Sequence, residues 1–117
     1  MKVSIEWKLL GIYLLVLFLL VASSPSFAQV TAIHFNADFN SANDVAWFSK
    51  LKECDKKSLL IEEDDNQRKY EIAIVPTIIV FDDGEEVKRF QADISFKMVA
   101  TREDVQEYIE ELIISKF

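Results

Sequence analysis

Residues 72–90, IAIVPTIIVFDDGEEVKRF, constrain the fold more tightly than any other stretch of the chain. Ile78, Ile79, Val80 and Phe81 are all β-branched or aromatic and run on without a polar interruption. A strand wetted on one side alternates, whereas a continuous run of this kind suits a strand buried on both faces. Asp82-Asp83-Gly84 then supplies turn chemistry, because Gly84 tolerates positive φ and the aspartates bond nearby amides. The chain therefore doubles back at once into a second strand-like run that ends at Phe90. Pro76 has no N–H to give a ladder, so it belongs at the mouth of the first strand and not inside it.

The other elements can be placed around this hairpin. Residues 30–35 alternate, with Ile33 and Phe35 on one face and His34 on the other, which predicts a central strand. Residues 36–43, NADFNSAN, are polar and turn-rich. In residues 44–53 and just beyond, Trp47, Leu51 and Cys54 fall at i, i+4 and i+7 and Phe48 widens the stripe, so the spacing predicts an amphipathic helix. Ser41 with Asp44, or Asn43, would cap it, a contribution of about 1 kcal/mol.

Residues 58–61, SLLI, read as the next strand, parallel to the first and reached by a right-handed crossover. The acidic run 62–65 would open a short helix, where carboxylates suit the free amides of the first turn, with Tyr70 and Ile72 turned inward. Residues 91–100, QADISFKMVA, either extend the edge of the sheet or lie over the surface as an apolar flap. The pattern of residues 101–104 opens a last helix, whose buried stripe is Val105, Tyr108, Ile109, Leu112 and Ile113.

A strand entered through Val75-Pro76-Thr77 and left by a charged Gly turn resembles the C-terminal hairpin of the thioredoxin family. The resemblance implies an α/β, thioredoxin-like fold over residues 29–117. Its central mixed sheet would have about four strands in the order β-α-β-α-β-β-α, flanked by helices. It also implies a cis Val75-Pro76 bond. Full-length thioredoxins put a further strand and helix before the central strand, so a minimal version of the fold is expected here.

That family carries Trp-Cys-Gly-Pro-Cys in the loop after its central strand. Aligned on Phe35 and Ala37, the motif puts Phe39 at the tryptophan and lands the tetrapeptide on Asn40, Ser41, Ala42 and Asn43, so both cysteine positions hold asparagine. Thiol–disulfide exchange requires a thiolate to attack a disulfide sulfur and a second thiol to resolve the mixed disulfide. An amide does neither, so no catalytic residue is expected in this loop and dithiol oxidoreductase activity is not expected. The resemblance instead implies a binding groove between this loop and the Pro76 loop, formed by Phe39, Asn40, Asn43, Val75, Pro76 and Thr77. An extended peptide or a partner protein would lie there, paired to the backbone before Pro76. The exposed apolar residues Phe96, Met98 and Val99 offer a second candidate partner patch.

Cys54 is the only cysteine in the chain, so no internal disulfide can form. On the inner helical stripe an unpaired Cys behaves as a small hydrophobe. The alternative function is a single-thiol oxidoreductase or redox sensor using Cys54, with Lys52, Lys56 and Lys57 available to lower its pKa if it is exposed. His34 stands where many thioredoxins bury an acid, and is read as a half-buried His with a backbone partner. The acidic clusters at 62–65 and 82–86 lack the spacing of a calcium loop and read as solvated turns. No phosphate loop, His/Cys ligand spacing or nucleophile elbow is present, so neither metal nor cofactor is expected.

The first 28 residues read as a secretory leader: Lys2 and Lys8, an apolar run over residues 9–22, then small residues ending at Ala28, after which cleavage is expected. The run is shorter than the ~20 residues a membrane-spanning helix needs, which argues against a retained anchor. The chain is therefore expected to be secreted or periplasmic. Its formal charge is −7, and −8 once Lys2, Lys8 and Glu6 are removed, which disfavours nucleic-acid partners.

Overall fold

β1, Val30–Asn36, sits inside the sheet and organises it. It pairs in parallel with β2, Asp55–Leu60, and antiparallel with β3, Thr77–Asp82. β3 in turn pairs antiparallel with β4, Glu85–Gln91, giving the order β2-β1-β3-β4. The structure is a computed structural model that describes residues 29–117. The expected leader lies outside the described residues. Among those residues no helix is long and apolar enough to cross a membrane.

Alternation along β1 and β3 divides the core between the two faces of the sheet. Val30, Ala32, Ile78 and Val80 point to one face, where Val45, Phe48, Leu51, Val105 and Ile109 cover them. Ile33, Phe35 and Ile79 point to the other, against Ala37, Ile72 and Val75. β3 is thus buried on both sides, as its unbroken apolar run predicts. Asp83 and Gly84, at φ 50° and 84°, form the two-residue loop that joins Asp82 to Glu85. Two consecutive positive φ values match the twist of the flanking strands, and Gly84 takes the second at no steric cost. The Val75-Pro76 bond is cis.

Residues 44–53 do not form the helix that their spacing predicts. Two 3₁₀ turns, Asp38–Asn43 and Phe48–Lys50, make the crossover instead. Within residues 44–53 the buried residues are Val45, Phe48 and Leu51, and a spacing of three suits the three residues per turn of a 3₁₀ helix. Trp47 and Cys54 are only partly buried against the same core. Asp44 interrupts any continuous helix: its backbone is extended and its carboxylate accepts a hydrogen bond from Asn36 Nδ2.

Backbone groups that an α-helix would pair internally find other partners here. Lys56 Nζ donates to the carbonyls of Leu51 and Ser49 at 2.7 and 2.9 Å. Gln106 Nε2 donates to the Lys52 carbonyl at 2.9 Å, and its Oε1 accepts from the Lys52 amide at 2.8 Å. These bonds tie the crossover to β2 and to the last helix.

The acidic run 62–65 does not open a helix either. α1, Asn66–Lys69, is a single turn with no acidic residue in its first turn. Asp64 and Asp65 sit at φ 49° and 58°, a region that Asp tolerates better than most residues, so the chain turns there before the helix begins. Asn66 Nδ2 donates to the Leu60 carbonyl at 2.9 Å and fixes that turn to the end of β2.

α2, Arg102–Ile114, follows the sequence pattern closely. Thr101 Oγ1 accepts from the Asp104 amide at 3.2 Å while Asp104 Oδ2 accepts from the Thr101 amide at 2.9 Å, a reciprocal capping box. Val105 and Ile109 are fully buried, with Tyr108, Leu112 and Ile113 beside them.

Candidate functional site

Where β1 ends, Asn36 begins a network of side-chain amides. Asn36 is buried; its Nδ2 donates to the Asn40 carbonyl at 3.1 Å and to the Asp44 carboxylate. Its Oδ1 accepts from Asn40 Nδ2 at 3.0 Å. Asn40 Nδ2 also donates to the Phe96 carbonyl at 3.1 Å and lies 3.5 Å from the Val75 carbonyl, while Asn40 Oδ1 accepts from Asn43 Nδ2 at 2.8 Å. An amide nitrogen has two hydrogens, so Asn36 and Phe96 take the strong bonds and Val75 a weaker third.

Asn40 is only 4 % exposed. Its amide therefore fastens together the end of β1, the loop before Pro76 and the segment after β4. This brings the sequence-predicted residue Asn40 next to Val75, with Asn43 bonded to the far side of the Asn40 amide. Ser41 and Ala42 lie outside on the surface. Val75, Pro76 and Thr77, expected to line an open groove, are buried, and the Thr77 hydroxyl donates to the Ile74 carbonyl at 2.6 Å. The residue that does stand out here is Phe39, 71 % exposed.

The segment after β4 combines both expected behaviours. Ala92 bridges antiparallel to Met98, prolonging the sheet edge, and the residues between form a tight turn. Asp93 Oδ1 accepts from the Ser95 amide and hydroxyl at 2.9 and 2.5 Å and from the Lys97 amide at 3.3 Å. These bonds hold its carboxyl below the usual range, the Ser95 hydroxyl contributing most. At the tip, Phe96 adopts φ 63°, an uncommon conformation for an aromatic residue, and Asn40 holds its carbonyl. The Phe96 ring meets Phe39 edge to face, with centroids 5.6 Å apart. Met98 instead packs against the first core, so Phe96, Met98 and Val99 do not act as one patch; Val99 is exposed.

Beside the aromatic pair lies an apolar depression of about 300 Å³, walled by Phe39, Ile61, Ile74, Val75 and Phe96, with Gln67 at its side. Sequence reasoning missed Asn36, Ile61 and Ile74 as parts of this region. The spacing of Asn36 and Asn40 by four, at a strand end, was the available signal for the first. Nothing local marks the other two, which only the fold brings beside Phe39.

The thiol is elsewhere. Asp55, the neighbour of Cys54, pairs with Thr31 at the far end of β1, five residues from Asn36. At a strand rise of about 3.3 Å per residue this is roughly 16 Å from the amide network. Cys54 is partly buried, and burial pushes its thiol up; Lys56 pulls it down less strongly, and Asp55 and Glu53 add to the rise.

His34 does not use a backbone partner. Its Nδ1 lies 3.3 Å from Ser58 Oγ, its ring packs on Phe48 at 5.3 Å, and its buried Nε2 has no partner among the described residues. Burial lowers its pKa and Asp44 raises it by less. Ser58 lies four residues along the strand from Cys54, roughly 13 Å at the rise of a strand, so His34 and Cys54 do not form a reactive pair. Among the described residues no cluster of His, Cys, Asp or Glu is placed to hold a metal ion.

No protein-family model and no curated protein sequence matches the chain. Solved structures do. The fold is similar to that of thioredoxin 1 from Thermosipho africanus, with a TM-score of 0.56 and 22 % identity over 74 % of this chain and 99 % of that one. A mutant thioredoxin from Halobacterium salinarum gives 0.54 and 19 %, over 71 % and 74 % of the two chains. The reduced thioredoxin pre-protein of Schistosoma mansoni gives 0.52 and 19 %, over 82 % and 88 %.

Proposed function

Since the chain has the thioredoxin fold, we propose that it is a binding module without redox activity. It recognises an extended peptide or a partner protein at the end of the sheet where the family presents its dithiol. One observation carries this reading. At the position that the resemblance assigns to the first cysteine stands Asn40, a buried amide whose hydrogens and oxygen are all engaged inside the protein. Such a group neither attacks a disulfide nor resolves one.

The amide network keeps the loop in place without offering it to chemistry, and next to it Phe39 is left exposed beside an apolar depression. Concave apolar surface with an aromatic rim is the ordinary substrate of recognition. The leader-like residues 1–28 support a secreted or periplasmic setting, and the net negative charge disfavours nucleic acid as the partner. A single-thiol activity at Cys54 is the weaker reading, because burial and two neighbouring carboxylates oppose the thiolate.

Three measurements test the proposal. The purified protein should reduce insulin no faster than dithiothreitol alone; a rate near that of an ordinary dithiol catalyst overturns it. Cys54 should alkylate slowly at neutral pH in the folded protein and at the rate of a free thiol after denaturation, whereas fast alkylation of folded protein favours the single-thiol reading. Random peptides displayed against the protein should include a set that Phe39→Ser no longer retains; if no such set emerges, the binding site is not here.

A further inference from the structure

The depression beside Phe39 has a polarity that narrows its ligand. Gln67 is the one polar side chain among the residues that line it, and a space of about 300 Å³, at the small end of the range for ligand pockets, has room for one or two large apolar side chains. The backbone acceptors flanking the cis bond are engaged within the protein: Asn40 Nδ2 faces the Val75 carbonyl at 3.5 Å and the Ala92 amide donates to the Pro76 carbonyl at 3.0 Å. An incoming strand would have to displace these bonds to pair there. Insertion of a side chain would not.

The rim is acidic. Between Ile61 and Ile72 the chain carries five carboxylates, at residues 62–65 and 71, against two cations, Arg68 and Lys69. Arg68 is bonded to Asp65 at 3.1 Å, Lys69 lies over the Tyr70 ring at 5.6 Å, and Arg89 of β4 donates to the Glu71 and Tyr70 carbonyls at 2.8 and 2.9 Å, so these cations offset the Asp65 and Glu71 end and the acidic excess is left at residues 62–64. Glu63 and Asp64 are exposed and form no ion pair among the described residues. The Glu62 carboxylate reaches the Phe39 side, where it accepts from the Asp38 amide at 3.0 Å. Lys97 follows Phe96 in the chain and is exposed.

We propose that this depression binds a peptide segment presenting a large apolar side chain flanked by lysine or arginine. The apolar residue enters between Phe39, Ile74 and Phe96, and the basic flanks lie against the carboxylates that follow Ile61. Rim charges of this kind steer encounter and select partners while the buried apolar contact supplies most of the affinity. Their contribution is screened by salt. This inference rests on the binding reading above and adds to it the class of ligand and the way it is held.

Three fluorescein-labelled peptides test it by anisotropy on the purified full chain: Lys-Lys-Ser-Leu-Ser-Lys-Lys, its twin with glutamate for lysine, and its twin with serine for leucine. The first should bind about tenfold more tightly than either twin, and the advantage over the glutamate twin should shrink in high salt. Phe39→Ser, an exposed change that leaves the core intact, should remove the preference for leucine. Glu63→Lys with Asp64→Lys should remove the preference for lysine while keeping that for leucine. Equal binding of the lysine and glutamate peptides overturns the inference, as does lysine-peptide binding that Phe39→Ser leaves unchanged. If display yields peptides that need Phe39 but carry no basic flanks, the ligand class is wrong and the binding reading stands. If none needs Phe39, both fall.

Discussion

The hairpin with α2 and the crossover from β1 to β2 belong to one fold but are held by different means. In β3, β4 and α2 the backbone groups pair within ladders and helical turns, and apolar burial adds to that frame. In the crossover the backbone pairs with itself only through short three-residue turns, and side chains serve several of the remaining groups: Lys56 and Gln106 on one flank, Asn36 on the other. The difference shows that apolar spacing decides which residues go inside, while the partners of the backbone polar groups decide which element carries them. The same crossover delivers the candidate site, because the amides that replace helical bonding also fix the loop beneath Phe39.

Truncation in the two regions should therefore cost stability for different reasons. The largest loss is expected for Ile79→Ala in β3, where the side chain is fully buried in the second core: about 2–5 kcal/mol in a urea titration. Next comes Asn40→Ala, which removes no large apolar surface but strands the Asn36 oxygen, the Phe96 carbonyl and the Asn43 amide. A loss of about 1–3 kcal/mol is expected, the range for one buried polar group left unpaired, because the Asn36 oxygen is buried whereas Phe96 and Asn43 are accessible enough for solvent to serve theirs. Amide hydrogen exchange should quicken around Phe96 in this variant and stay unchanged in β4. An Asn40→Ala loss below about half a kcal/mol would mean that the network is incidental and the contrast between the regions unfounded.

A smaller effect is expected at Lys56. It is exposed, so its charge contributes little, but its ammonium serves two carbonyls of the broken crossover. Lys56→Met keeps most of the stem and should cost about 1 kcal/mol, read from the same titration. Lys57→Met, one residue along and without such bonds, should cost less than that. Equal costs would show that the carbonyls are as well served by solvent.

The pattern of legibility follows the same divide. Ile78 to Val80, the Asp83-Gly84 turn and the Thr101 cap each announce themselves through neighbours in sequence, and the structure places all of them where the pattern does. The crossover defeats the same reasoning because Trp47, Leu51 and Cys54 fit a helical period as well as Val45, Phe48 and Leu51 fit a 3₁₀ one. What separates the two is Asp44 turning back to Asn36, a contact over eight residues that no window of periodicity registers. For the site, position 40 was legible only through the family resemblance. Its role as a junction depends on Phe96, fifty-six residues away in sequence, and so on the fold itself.

The smallest effect expected is at His34, and it separates the two regions by pH. The ring lies between β1 and the crossover, against Phe48, with Ser58 of β2 at Nδ1 and Asp44 the charged group that acts on it. Burial, the larger influence, lowers the pKa from 6.5, and Asp44 offsets part of that. The native state therefore holds His34 neutral where the unfolded chain already binds a proton. Since the unfolded state then carries more protons, stability falls as pH falls. The contribution is fully present above 6.5 and is lost as the pH drops below it toward the lower folded value. Urea midpoints of the wild type should decline between about pH 7.5 and 5.5, above the range where most carboxylates titrate. His34→Gln should flatten that decline, and Asp44→Asn should extend it to lower pH by removing the influence that raises the pKa. In the same variants the protection factors of the β3–β4 hairpin amides, corrected for the intrinsic pH dependence of exchange, should stay constant over this window. A wild-type midpoint that does not move, or a His34→Gln slope equal to that of the wild type, would mean that the ring takes its proton in the folded state as readily as in the unfolded one.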